Sequence, residues 1–280
     1  MSTRKRTLPR GWYPVDKREC QRGIESFLER WSPSVSLKTV RGGIVPHAGW
    51  YFSGKLAARV FHLLKSMGKA DMIVLYGGHL GPEGPPRMVM ESSWETPFGD
   101  MEIDSEFAKS LMKRIEVKSE SPASGDNTIE IQLPMIKYFF PHAKLLAIRS
   151  PSSLKAATLG EEVAKLANEK GMAILAIGST DLTHYGPNYG HVKKGTGPSA
   201  LKWVKNENDR GFIDFALKMD AKGLISHAGE NESACSAGAA ASAMATCKIL
   251  GAEKGILIDY YTSFDIMPDD SFVGYAGILY

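Results

Sequence analysis

Five short apolar runs punctuate the chain, at Gly43 to Val45, Met72 to Tyr76, Leu145 to Ile148, Ala173 to Ile177 and Ile256 to Tyr260, with Phe272 to Leu279 as a sixth near the end. Each is short and mostly bounded by polar residues, the pattern of a buried strand. Between them the apolar spacing lengthens to roughly 3.6 residues, which predicts helices. These cover Lys55 to Ser66, Ser105 to Ile115, Leu154 to Glu169, Lys202 to Met219 and Ser233 to Leu250, with Ser105 and Ser233 as N-caps. Strands alternating with helices define an α/β fold, a central mostly parallel or mixed sheet flanked by helices. Gly81 to Pro86 and Gly186 to Pro198 read as long loops. With no repeat and no low-complexity linker, one domain over residues 1–280 is the simplest organisation.

Composition narrows the class. Hydrophobic residues make up 43% and charged residues 23%, and no apolar run reaches membrane-spanning length, so a globular protein without a membrane span is expected. The 34 basic and 31 acidic residues leave a net charge of +3, and no basic run is interleaved with aromatics, which argues against nucleic-acid binding. Residues 1–10, MSTRKRTLPR, lack the apolar stretch of a secretory signal and read as a basic, solvated arm. Three scattered cysteines, Cys20, Cys235 and Cys247, do not make a disulfide framework, and free thiols in a reducing, cytoplasmic setting are expected.

Three segments carry the candidate chemistry. IVPHAG, IVLYGGH and ILAIGSTDLTH each run from a strand into a turn, and each places a histidine just past the strand end. Ligands of open α/β sheets bind beyond the carboxyl ends of the strands, so His47, His79 and the pair Asp181 and His184 are expected to converge there. Ala48 and Gly49 allow close backbone approach at His47, and two glycines precede His79. Asp181 and His184 lie three apart, a spacing that faces one pocket if the segment turns helically. The plain alternatives are a core histidine at 47, a surface loop histidine at 79, and a simple structural pairing of Asp181 with His184. His62, His142, His191 and His227 lack such a setting, the last two reading as solvated.

Cys235 follows Ser233 by two residues, so with Ser233 as cap its thiol sits in the first turn of a helix, where the macrodipole favours thiolate. Its alternative is a buried small hydrophobe, the reading that suits Cys247. Two histidines and a thiolate suit iron, zinc or copper with a coordination position left open. A serine triad through Ser179 lacks a G-x-S-x-G elbow, which leaves a Cys235-dependent hydrolase as the stronger nucleophilic rival.

With these residues in view the chain resembles the Memo-like proteins of the AmmeMemoRadiSam group over nearly its whole length. VPHAGWYFSG from Val45, GGHLGP from Gly77, NTIEIQLPMI from Asn127, STDLTHYG from Ser179 and ACSAGA around Cys235 stand in the family's order. The resemblance implies a fold similar to the catalytic subunit of class III extradiol dioxygenases, which hold non-haem Fe(II) with two histidines and a carboxylate. It further implies His47, His79 and Cys235 as metal ligands, with Asp181 and His184 as an acid-base pair or supporting residues in the same vestibule. Fe(II) is the expected ion, copper or zinc the alternatives, and the expected role is redox or oxygen-dependent chemistry on a small molecule. Two counts weigh against ring cleavage: the family has a cysteine in place of the carboxylate ligand, and this chain has Asn127 where a proton-transferring histidine is common. Asp126-Asn127-Thr128 stands where many members carry Glu-His-Ser, and a second departure, Tyr76-Gly77-Gly78 for a common Gly-Pro-Ser or Gly-Pro-Asn, alters the loop but retains the histidine. Eukaryotic relatives are associated with phosphotyrosine peptides, so a non-catalytic peptide-binding module is the alternative, with Arg41, Lys55 and Arg149 as anion-binding candidates.

Overall fold

The computed structural model describes residues 2–32, 40–66 and 69–280. Its framework is a mixed nine-stranded sheet in which all six apolar runs are strands. Four parallel strands lie side by side at its centre, in the order Gly42–Val45, Ile174–Ser179, Met72–Leu80 and Lys144–Pro151. Phe272–Leu279 runs antiparallel to Gly42–Val45 and pairs in turn with Ile256–Thr262 and with the short strand His184–Tyr185. Parallel strands share one carboxyl edge, and the residues just past Val45, Ser179 and Tyr76 meet along it.

Period-two alternation divides the core between the two faces of the sheet. Met72, Val74, Tyr76, Leu146, Ile148 and Ala176 pack on one side against helices Lys155–Glu169 and Ala237–Ile249. Ile73, Leu75, Leu145, Ala147, Leu175 and Ile177 pack on the other against Lys55–Ser66 and Leu133–Phe139. Both faces are covered, as near-continuous apolar strands require. The alanine-rich helix Ala237–Ile249 has almost no amphipathic character because it is buried all round. It lies so close to Lys155–Glu169 that a Cβ on Gly160 would stand 2.2 Å from the Ser242 carbonyl oxygen.

Several boundaries differ from the sequence expectation. Asp104, not Ser105, caps its helix, accepting a hydrogen bond from the Phe107 N–H. The last long helix begins at Ala237 with Ser236 as N-cap, so Cys235 precedes the helix instead of occupying its first turn. Ser233 is drawn away by His227, whose Nδ1 lies 2.8 Å from its hydroxyl. Lys202 to Met219 is not one helix. It comprises Pro198–Trp203, a π-helical turn Val204–Asn208 and Asp209–Leu217. The buried polar pair Asn208 and Asp209 reaches into the core there, and a π-turn is a common way to turn such side chains inward. Lys17–Leu28, Leu133–Phe139 and Ala221–Asn231 are helices that the spacing did not single out.

The basic arm is only partly solvated: Lys5 and Arg10 are exposed but Arg4 is not, and Met1 itself lies outside the described residues. Thr3–Arg4 pairs in parallel with Ser93–Trp94, and Arg4 is buried, its Nη1 3.2 Å from Glu91 and its guanidinium 4.7 Å from the Trp94 ring centre. Thr7 and Leu8 donate backbone N–H groups to the buried Glu130 carboxylate, which also accepts from the Tyr13 hydroxyl at 3.0 Å. Nor is His191 solvated. It is buried between Tyr185 and Trp203, with ring centres 5.1 and 6.1 Å away. Among the described residues no helix is long and apolar enough to cross a membrane.

Candidate metal centre

His47 leaves the strand Gly42–Val45 through Pro46 and is held on three sides. Its N–H donates to Asp181 Oδ1 at 2.6 Å, Ser179 Oγ lies 3.4 Å from Nδ1, and Cys235 Sγ lies 3.1 Å from Nε2. Gln132 supports this turn from below, donating to the Pro46 carbonyl at 2.8 Å and to Ser179 Oγ at 3.1 Å. Gln132 belongs to the NTIEIQLPMI segment, where no role was assigned to it from sequence.

His79 sits within the strand Met72–Leu80, not in a loop after it. Its φ of +59° is left-handed, uncommon for a residue with a Cβ. Flanking contacts hold this backbone. Arg149 Nε donates to the Gly78 carbonyl at 3.0 Å, and the Gly78 N–H donates to Thr128 Oγ1 at 3.0 Å. The His79 ring stands edge-on to His47, with centres 5.3 Å apart and planes at 84°.

Cys235 arrives by a route unlike the one expected. An isolated antiparallel bridge joins Leu182 to Ala234, the Cys235 N–H donates to the Asp181 carbonyl at 3.3 Å, and the Ser236 N–H donates to Thr180 Oγ1 at 3.1 Å. Segment 180–182 therefore presents Cys235 to His47. One ligand atom each from His47, His79 and Cys235 falls within 4.8 Å of the others.

The electrostatics follow from this packing. Burial works against ionisation of Cys235, but the His47 charge and hydrogen bonds from His47 and His79 outweigh it and hold the thiol well below its ordinary range. Burial likewise works against protonation of His47, yet Cys235 and Asp181 together push it up to about 10. For Asp181, burial prevails over the His47 charge and raises the carboxyl.

Asp181 and His184 both line the cleft, but segment 180–185 is extended and not helical, and Asp181 is directed to His47. His184 packs edge-on against Tyr189 at 5.0 Å. Asn127 lines the cleft at the start of the short helix Asn127–Glu130, capped by Asp126. Of the three anion-binding candidates, none lines the cleft. Arg149 is paired with Asp126 at 2.8 Å and Glu120 at 3.0 Å, Lys55 is exposed on its helix, and Arg41 bonds the Leu250 carbonyl at the opposite end of its strand from His47.

Fold and site together describe an α/β protein with two imidazoles and a thiol gathered at the carboxyl edge of its parallel strands. The chain belongs to the Memo family, whose model, described as Memo-like protein, matches residues 4–279. It is similar to a MEMO1 family protein of Nitrosopumilus maritimus, 33% identical over 287 residues and covering 98% of each chain. A MEMO1 family protein of Thermococcus onnurineus is 31% identical over 282 residues, covering 96% of each. The crystal structure of an uncharacterized protein from Escherichia coli K12 aligns with a TM-score of 0.47 at 13% identity, covering 79% of this chain and 91% of that one.

Proposed function

We propose that His47, His79 and Cys235 hold a transition metal, redox-active iron or copper before zinc, and that the chain acts on a small molecule bound in the adjoining cleft. The observation that carries this reading is the gathering of three donors within 4.8 Å of one another. Metal–nitrogen and metal–sulfur bonds of about 2.0–2.3 Å separate neighbouring ligand atoms by roughly 3.5 Å, a spacing this cluster reaches with small side-chain adjustments. The donor chemistry fits as well, since a thiol already biased toward thiolate and an imidazole selected at Nε2 by its neighbours suit iron and copper. Such an ion, when bound, supplies a Lewis-acidic, redox-active centre open toward the cleft.

The surrounding residues have separate tasks in this reading. Asp181 fixes the His47 backbone, and Ser179 at Nδ1 fixes the ring orientation and leaves Nε2 for the ion. Asp181 and His184, both on the cleft wall, are the groups able to accept or return a proton beside the ligand. Asn127 can hydrogen-bond there but cannot transfer a proton near neutral pH. The test is metal analysis of protein purified anaerobically without added metal, beside His47→Ala and Cys235→Ser. Wild type is expected to carry about one ion per chain and both variants far less; full retention in both overturns the ligand assignment.

One observation favours a second reading. Cys235 Sγ lies 3.1 Å from His47 Nε2 and its thiol is held low, the arrangement of an activated cysteine nucleophile. Alkylation separates the two: a ligand Cys235 is protected by loading iron or zinc, whereas a nucleophile reacts at the same rate with and without the ion.

A further inference from the structure

The cleft beside the three donors has a volume of about 390 Å³ and an asymmetric lining. Trp12, Phe52, Tyr189 and Tyr275 supply aromatic surface, Asp181 and Asp269 supply carboxylates, and among the described residues no lysine or arginine faces it. At the mouth, Tyr189 and Met267 are 48% and 53% exposed, so apolar surface lies open beside the cleft. Asp269 stands beside them, exposed, with Oδ1 accepting the Ser271 N–H at 2.8 Å and no protein donor on Oδ2 among the described residues.

We propose that this cleft takes a small ligand with a planar apolar body and a positively charged nitrogen, the body against Trp12 and Phe52 and the cation at the mouth between Asp269 and Tyr189. The chemistry is complementary on both counts. Aromatic faces attract both planar groups and cations, and a carboxylate beside them, with no cationic partner among the described residues, favours an ammonium over a neutral group. At the mouth Asp269 opposes phosphate or carboxylate, and the lining lacks the arginine or lysine that such groups ordinarily require, its cationic potential being confined to the imidazoles of His47, His79 and His184. An anionic phosphopeptide is therefore disfavoured by charge, and the bulk of Arg149 is already committed to Glu120 and Asp126.

The inference rests on the proposed function only in taking this cleft as the working site, and its test does not require turnover. Full-length protein, metal-free and zinc-loaded, is titrated calorimetrically with 2-phenylethylamine, 2-phenylethanol, 3-phenylpropionate and phenyl phosphate. The amine is expected to bind about tenfold more tightly than the alcohol at low salt, the two anions more weakly still, and the preference to shrink as salt screens the rim. Asp269→Asn, which keeps the acceptor for Ser271, should bring amine and alcohol to equal affinity, while Trp12→Ala weakens both alike. Equal or tighter binding of either anion, an amine preference that survives Asp269→Asn, or no binding of any probe at millimolar concentration overturns the proposal. Metal content measured on the same samples distinguishes that failure from failure of the ligand assignment.

Discussion

Replacing Asp209 with asparagine should abolish a pH dependence of stability that the wild-type chain carries between pH 3.8 and about 7. Asp209 is completely buried, and burial pushes its carboxyl from the 3.8 of a free side chain up to about 7, against the opposing pull of hydrogen bonds from the Thr183 hydroxyl, Tyr260 and the Thr183 N–H. The Tyr260 hydroxyl donates to Oδ2 at 2.7 Å and the Thr183 N–H to Oδ1 at 3.0 Å. Between those two pH values the folded chain binds a proton that the unfolded chain has released, so stability falls as pH rises through this window. A gap of about three pH units corresponds to about 4 kcal/mol, fully lost above pH 7 and recovered toward pH 4. Asparagine retains an acceptor for Thr183 and carries no charge. Urea unfolding at pH 5, 6, 7 and 8 should therefore give a falling stability for wild type and a flatter profile for Asp209→Asn, with the variant gaining relative stability at pH 8. Every other titrating group is shared by the two proteins, so parallel profiles would refute the argument.

Two further substitutions probe the support of His79 and Cys235. Arg149→Met leaves the buried Asp126 without its cation, leaves the buried Glu120 with only the 3.9 Å contact to Arg87, and frees the Gly78 carbonyl, so a loss of about 3–5 kcal/mol in urea unfolding is expected, with lower metal content in whatever folds; a change under about 1 kcal/mol would show the network to be dispensable. Gly78→Ala sets a Cβ 1.9 Å from Ser236 Oγ and 3.0 Å from Ser236 Cα, which must push the neighbouring Cys235, so metal retention should fall, whereas Gly84→Ala, with nothing within 4 Å, should match wild type.

The strands were legible because burial on both faces leaves little freedom. Residues such as Val74 and Leu75 face opposite cores, so the run must be apolar throughout, and it must stop where the sheet edge meets the cleft. Helix ends were less legible, since a cap depends on which side chain wins a local contest. Asp104 outcompetes Ser105 because its carboxylate reaches the Phe107 N–H, and Ser233 fails as a cap because His227 takes its hydroxyl. Nothing local marks the arm as structured. Arg4 is buried only because Glu91 and the carbonyls of Ser121 and Ser124, about a hundred residues away, receive its guanidinium.

The site was legible as a set of residue types at strand ends and illegible as a set of supports. His47, His79 and Cys235 were singled out, and the structure brings their ligand atoms together. The expected reason for Cys235 was a helix dipole, yet the thiol precedes the helix, and its bias toward thiolate comes from His47 instead. An arginine beside a motif, as Arg149 is, suggests an anion receptor. Its partners show why the reading fails. Two buried carboxylates already neutralise it, and its Nε spans the Asp126 cap and the Gly78 carbonyl, coupling the strand that carries His79 to the helix that carries Asn127. Asp181 couples the other two donors in the same way, its carboxylate receiving the His47 N–H and its carbonyl the Cys235 N–H. Asp181 thus ties His47 to Cys235, and Arg149 anchors the segment of His79 to a neighbouring helix. Such ties are pairings between distant parts of the chain, and pairings of that kind leave no periodicity or spacing from which to read them.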